Sequence, residues 1–484
     1  MEDLDIAAVT KRSIHGVFAL VTRTFFIQII TVAVNFLLTI YLSASVFGVY
    51  FIVTSIISFL TYFSDIGLAA ALIQKKESVT DEDLRTTFTI QQALVISVVV
   101  LALFASPLVG HFYKLEPEGI FLFQALVIAF FLSSLKTIPS ILLERNLRFE
   151  KLVIPEIVET IVFNGVALVL AIKGFGISSF TYAVLARGVS GMVAIYIVSP
   201  WKIGFGFSKQ EAKKLLSFGI PFQLNSFLAL LKDDVMVAYI GKVLPLAQVG
   251  YIGFAQKWSL APLQLIMDNI IRVTFPSYAR LQHDKDNLVK AVEKSLFVLT
   301  LVIFPCLVGL VTLVPVFMEL VPKYQHKWDL ALISLGFFSI NAALSTISTP
   351  LTNALNAIGK IKMTLYLMIL WTVLTWVLSP LFIYLFGFNG FALASALISC
   401  TVVLVIWLTR KYIPFSVVHI WIPAISAILM GVILIGLIHL LPKTFLSLVL
   451  LIGIGGFAYL GMTILLAREE VIKDIALVKE QFIH

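Results

Sequence analysis

The chain has 484 residues, of which 60% are hydrophobic and 13% charged, with a net charge of +8 and a mean hydropathy of +1.02. A soluble globular domain is about 45–50% apolar and roughly 25% charged, so a soluble enzyme, a disordered chain and a collagen-like repeat are excluded. Long continuous apolar runs, in place of short alternating segments, also exclude a transmembrane barrel and leave an all-α polytopic membrane protein.

At about 20 apolar residues per crossing, the chain predicts fourteen transmembrane helices. They fall at 17–42, 46–64, 86–109, 119–143, 152–173, 177–199, 214–240, 246–273, 289–314, 328–357, 363–386, 388–409, 420–441 and 445–467. The first follows an acidic start, Met1 to Asp5, with Lys11 and Arg12 behind it. That start lacks the basic region and small-residue cleavage site of a signal peptide, so the first helix is expected to stay in the membrane. It carries Arg23 and a polar stripe of Gln28, Thr31 and Asn35. The second ends near Asp65, and the fourth holds Lys136. Glu156 and Glu159 share one face of the fifth at i, i+3. Arg187 sits about ten residues into the sixth, and Lys232, Asp233 and Asp234 adjoin in the seventh. The eighth carries Lys257, Gln264 and Asp268 at i, i+7, i+11, one stripe of a helix. Cys306 and Cys400 lie in apolar runs and read as small buried hydrophobes. The histidines make no HxxxH or HExxH pair, so no metal site or cofactor is expected. No GxxxxGK[ST] loop is present for an ATP-hydrolysing pump, and no loop is long enough for a glycosyltransferase domain.

The positive-inside rule orients the spans. With the N-terminus in the cytoplasm, inner segments hold 24 basic residues and outer loops six, a bias that supports the helix count. An even number of crossings then puts both termini in the cytoplasm. Five basic residues fall in neither class: Arg23, Lys136, Arg187, Lys232 and Lys257.

The two halves repeat at an offset of about 200–211 residues. Leu42 to Gly48 matches Leu244 to Gly250, Pro139 with Lys151 matches Pro350 with Lys362, and Phe175-Gly176 through Phe180 matches Phe386-Gly387 through Phe391. Asp65 and Asp268 also correspond. Six helices per repeat is an even number, so the two lobes enter the membrane in the same sense, as parallel repeats about an axis along the membrane normal. The expected division is an N-lobe at 1–200, a C-lobe at 201–412, and two extra helices with a tail at 413–484.

An ionisable residue at bilayer depth costs roughly 2.5–3.5 kcal/mol on insertion scales and usually faces a cavity or a partner. Arg187 and Lys257 lie some 15 Å deep at 1.5 Å per residue; Lys232 is intermediate. Arg23 and Lys136, nearer the inner end, can also snorkel to the interface. Glu156 and Glu159 lie at a depth where they can pair with Arg23 or Lys136, and Asp233 or Asp234 can neutralise Lys232. The polar stripes fit a hydrated surface, with helix–helix hydrogen bonding as the alternative. Spans 11–14 contain no charge. A cationic cavity lined by helices 1–8 is therefore expected, suited to an anionic solute such as a phosphate, pyrophosphate or acidic sugar. The carboxylates, Asp65 and Asp268 included, are candidates for charge pairing or for proton or sodium coupling.

Several segments carry a resemblance: Phe47-Gly48-Val49-Tyr50, Asp65 to Gln74, Pro139 to Lys151, Leu215 to Pro221, Gly250-Tyr251 and Phe275 to Gln282. In this order and spacing the chain resembles the polysaccharide-export branch of the multidrug/oligosaccharidyl-lipid/polysaccharide superfamily. The resemblance implies a flippase, not an enzyme, moving undecaprenyl-pyrophosphate-linked oligosaccharide across the bacterial cytoplasmic membrane by alternating access. Its implied partners are the lipid-linked anionic oligosaccharide, membrane lipids and polysaccharide polymerase or chain-length machinery, with no nucleic acid. Two rival readings stay open, a cation-coupled drug exporter of the same superfamily and a membrane-embedded polymerase or acyltransferase. The first helix lacks the acidic residue that many drug-exporting relatives carry.

Overall fold

The structure, a computed structural model, describes residues 27–28, 30–65, 67–75, 79–146, 148–324 and 326–466. Arg23 lies outside the described residues, as do the side chains of Asp65 and Asp268. The described chain is helical with short connections and no strand. Among the described residues, eleven helices are long and apolar enough to cross a membrane. The three remaining expected spans are helical where described. They fall on a shorter apolar helix, α1 (Ile30–Tyr41), on α9 (Lys209–Lys232) with α10 (Asp234–Val243), and on α11 (Leu246–Arg280). The polar residues of α9 and α11 and the break at Asp233 keep those segments from reading as uniform apolar rods.

Backbone contacts group the helices into two compact units that divide between Gly250 and Tyr251. The first holds α1, α2 (Ala44–Asp65), α3 (Leu68–Gln74), α4 (Asp81–Tyr113), α5 (Pro117–Ser134), α6 (Thr137–Arg145), α7 (Phe149–Ile172), α8 (Ser178–Val198), α9 and α10. Its core joins Leu38, Val53, Leu122, Phe123 and Phe180, all nearly sealed from solvent. The second unit holds most of α11 with α12 (Lys285–Leu320), α13 (Ala331–Ala357), α14 (Ile361–Phe386), α15 (Asn389–Ser399), α16 (Val402–Arg410), α17 (Val418–Leu440) and α18 (Phe445–Leu466). There α12 packs on α13, α17 and α18 around Tyr278, Val292, Leu351 and Val405.

Local chemistry sets the helix ends. Thr80 caps α4 through a reciprocal box in which its hydroxyl accepts from the Asp83 N–H and the Asp83 carboxylate accepts from the Thr80 N–H, satisfying two otherwise orphaned donors. Pro117 opens α5 where its missing N–H costs nothing. Gly176 and Gly387, equivalent in the sequence repeat, both take positive φ, at 54° and 65°, in the turns before α8 and α15. Phe180 and Phe391, equivalent in the same way, are both buried just beyond those turns.

The outer faces of the helices stay apolar. Phe104, Leu108, Ile197 and Leu465 are strongly exposed, the pattern of a lipid-facing surface. This also explains the cysteines. Cys306 and Cys400 are exposed on helix faces, correcting their reading as buried residues: in a membrane protein an apolar run predicts lipid or core equally well.

Candidate functional site

The site is built from the first unit. α5 and α6 meet at Leu135 and Lys136, and this junction is held from two sides. From α4, Gln91 donates to Thr137 at 2.9 Å and Gln92 to Ser134 at 3.1 Å. From α8, the Tyr196 hydroxyl donates to the Leu135 carbonyl at 3.0 Å and the Ser199 hydroxyl to the Pro139 carbonyl at 3.2 Å. Lys136 is thereby fixed at the start of α6, where its ammonium forms an ion pair with Glu159 Oε1 of α7.

Glu159 is buried and serves a second cation. Arg187, ten residues into α8, sets its Nε 3.3 Å from Glu159 Oε2. The Arg187 guanidinium also lies 6.0 Å from the Phe163 ring centroid, at the outer limit of a cation–π contact. One carboxylate thus spans two cations, one per oxygen. Two glycines one turn apart on α8 make the arrangement possible. Gly188 lets α8 approach Leu132 and Ala129 of α5, the close packing that small residues permit between membrane helices. Gly191 faces the Glu159 carboxylate so closely that a Cβ there would overlap it.

Lys136, Glu156, Glu159 and Arg187 line one cavity of about 360 Å³, together with Ile27, Ser140, Leu152, Pro155, Thr160 and Ile195. Its charged lining is two cations and two carboxylates, so among the described residues the charges balance. The apolar part of the lining comes from Ile27, Leu152, Pro155 and Ile195.

The other expected residues lie elsewhere. Lys232 pairs with Asp233 at 2.7 Å where α9 breaks into α10, the local neutralisation its neighbours suggested. Asp234 follows at the first position of α10. Lys257 is exposed on α11, in the second unit. None of these four residues lines the cavity. Sequence reasoning missed Gly191, Tyr196 and the Gln91–Gln92 pair. Two glutamines entering an apolar run, and glycines one and four residues after Arg187, were the available signals.

Comparison with known proteins gives the wider setting. The family described as "Polysaccharide biosynthesis protein" matches residues 37–333. The teichuronic acid biosynthesis protein TuaB of Bacillus subtilis (strain 168) is 27% identical over 306 residues, 62% of this chain and 62% of TuaB. The succinoglycan biosynthesis transport protein ExoT of Rhizobium meliloti (strain 1021) is 24% identical over 341 residues, 70% of this chain and 67% of ExoT. The chain therefore spans about two thirds of the length of these relatives. Among solved structures, the lipid II flippase MurJ in an inward closed conformation matches with a TM-score of 0.76 at 15% identity, covering 93% of this chain and 99% of that one. An inward-facing multidrug resistance MATE family transporter of the MOP superfamily matches with a TM-score of 0.63 at 15% identity, covering 80% of this chain and 94% of that one. These two likenesses show the fold: a multi-pass helical membrane protein of the MurJ and MATE type. The matched segment exceeds half of the sequence, and the chain belongs to the polysaccharide biosynthesis protein family.

Proposed function

We propose that the chain is a flippase, not an enzyme, that carries a lipid-linked anionic oligosaccharide across the bacterial cytoplasmic membrane. The observation that carries this reading is the Lys136–Glu159–Arg187 arrangement, in a fold of the MurJ type. Cations within membrane-spanning segments are costly unless they work or are paired. The Nε of Arg187 engages Glu159, and its terminal nitrogens make no hydrogen bond among the described residues. A guanidinium presenting those donors to a cavity matches phosphate geometry. At about 360 Å³ the cavity is at the small end of ligand sites, suited to a phosphate or pyrophosphate head and not to a whole oligosaccharide. The apolar lining residues suit a lipid-linked solute, and the names of ExoT and TuaB point to polysaccharide transport and biosynthesis.

In this reading the repeats at 1–200 and 201–412 act as rocking lobes, and 413–484 adds an apolar surface beside them. Arg23 guards the inner mouth. Both termini face the cytoplasm, and polymerase or chain-length machinery takes the product on the far side. The carboxylates carry any proton or sodium coupling.

The test is complementation of a deletion strain. Arg187→Ala should abolish polymer export and accumulate the lipid-linked intermediate in the inner leaflet while the protein still reaches the membrane. Normal export from Arg187→Ala, with unchanged intermediate levels, sinks the assignment.

A further inference from the structure

Glu159 occupies the place of an anion. Its Oε1 meets Lys136, its Oε2 meets Arg187 at 3.3 Å, and Gly191 provides the notch that holds the carboxylate there. Both cations converge on it from separate elements, Lys136 from the α5–α6 junction and Arg187 from α8. A bridging phosphate would use the same two donors in the same way, because each of its oxygens accepts one charge-assisted hydrogen bond.

We infer that Glu159 is a built-in counter-ion that the phosphate of the substrate displaces on binding. The inference rests on the flippase reading above and adds a regulatory role to one residue. In the structure as it stands, Lys136 and Arg187 share Glu159, and Glu156 in the same lining completes the charge balance, so neither cation is left uncompensated. A phosphate or pyrophosphate carries more negative charge than one carboxylate and offers more acceptor oxygens. It can therefore take over Lys136 and Arg187 while Glu159 swings aside or toward Thr160 and the open cavity. The exchange weakens net binding, because the substrate competes with an internal ligand. For a transporter that is useful: a site that holds its cargo too tightly cannot release it. Release is then assisted by the return of Glu159 to both cations. Glu156, one turn earlier on α7 and also in the lining, keeps the cavity neutral before displacement and adds repulsion against a phosphate that lingers.

The alternative is that Glu159 is only a structural salt-bridge partner. The two roles predict opposite outcomes for ligand binding. The test uses the full-length protein in lipid nanodiscs with inorganic pyrophosphate as the probe, read by calorimetry and by the shift in melting temperature. Glu159→Gln keeps the shape and removes the charge; it should bind pyrophosphate about tenfold more tightly than the unmodified protein and turn over more slowly in the export assay. Gly191→Ala, whose new Cβ would evict the carboxylate from its notch, should tighten binding in the same direction. It covers the case in which Glu159→Gln fails to fold. Pyrophosphate affinity in either folded variant equal to or weaker than that of the unmodified protein overturns the inference. If export is nonetheless lost in Arg187→Ala, the flippase reading survives that result. If Arg187→Ala leaves both pyrophosphate affinity and export unchanged, the flippase reading fails as well.

Discussion

Gly48 at the start of α2 and Leu246 at the start of α11 touch backbone to backbone: a Cβ on Gly48 would overlap the Leu246 carbonyl oxygen. The contact is reciprocal, since a Cβ on Gly250 would overlap the carbonyl oxygen of Ala44. Gly48 pairs with Gly250, and Ala44 with Leu246, at one constant offset of the sequence repeat. Each turn therefore offers its glycine to the other's carbonyl. Because the obstacle is backbone, no rotamer change relieves it. Gly48→Ala or Gly250→Ala should cost about 1–3 kcal/mol, the range for overpacking, read as a lower melting temperature in detergent. Melting within about 1 °C of the unmodified protein for both variants would show that the turns part easily; a shift of several degrees is expected for a destabilisation of this size.

Gly176 and Gly387 make a contrasting pair. No atom stands within 4 Å of where their Cβ would be, yet both hold positive φ. Alanine should therefore cost only the backbone penalty, about 1–2 kcal/mol at Gly176 and up to about 3 kcal/mol at Gly387, whose ψ of −153° puts it in a region that essentially only glycine adopts. Asparagine, which tolerates the left-handed region, should recover part of that cost at Gly176. Equal losses for alanine and asparagine there would point to packing instead of conformation.

Glu159 serves two cations, whereas Lys136 has one partner. Removing the shared partner should therefore cost more. Glu159→Ala should destabilise by about 1–3 kcal/mol, the cost of leaving a partly buried donor without its partner, and Lys136→Ala by less, because Arg187 still neutralises the carboxylate. The ordering of the two melting temperatures is the measurement, and the reverse order would show that Arg187 contributes little in the resting state.

Lys75 reaches Asp83 at 2.7 Å and Glu211 at 3.4 Å, tying the end of α3 to the starts of α4 and α9. Burial pulls the Lys75 ammonium down, but hydrogen bonds and charge from Asp83 and Glu211 outweigh it and hold the group above its ordinary range. A cation raised in the folded state contributes stability that is complete below its unfolded pKa, about 10.4, and is lost as pH rises through the folded value. Melting temperature should therefore fall as the pH passes above about 10, and Lys75→Met should be less stable at neutral pH with a shallower alkaline decline. An identical decline in Lys75→Met would assign the alkaline loss to other groups.

Much of this protein follows from composition and order alone. Apolar runs of membrane length dictate helices, because lipid leaves backbone groups no other partners. The turns at Gly48 and Gly250, and at Gly176 and Gly387, were legible as a repeat because the same backbone constraint calls for the same residue twice. The depth of Lys136, Glu159 and Arg187 could also be counted along the chain. Their convergence could not. Whether a charge on one helix meets a charge on another depends on helix rotation and approach, which here are decided by Gly188 and Gly191 against α5 and α7. The same limit explains Lys232, which its own neighbour Asp233 neutralises, and the balanced charges of the cavity lining. Periodicity fixes a residue's height and face on its own helix; only packing between helices determines which faces meet.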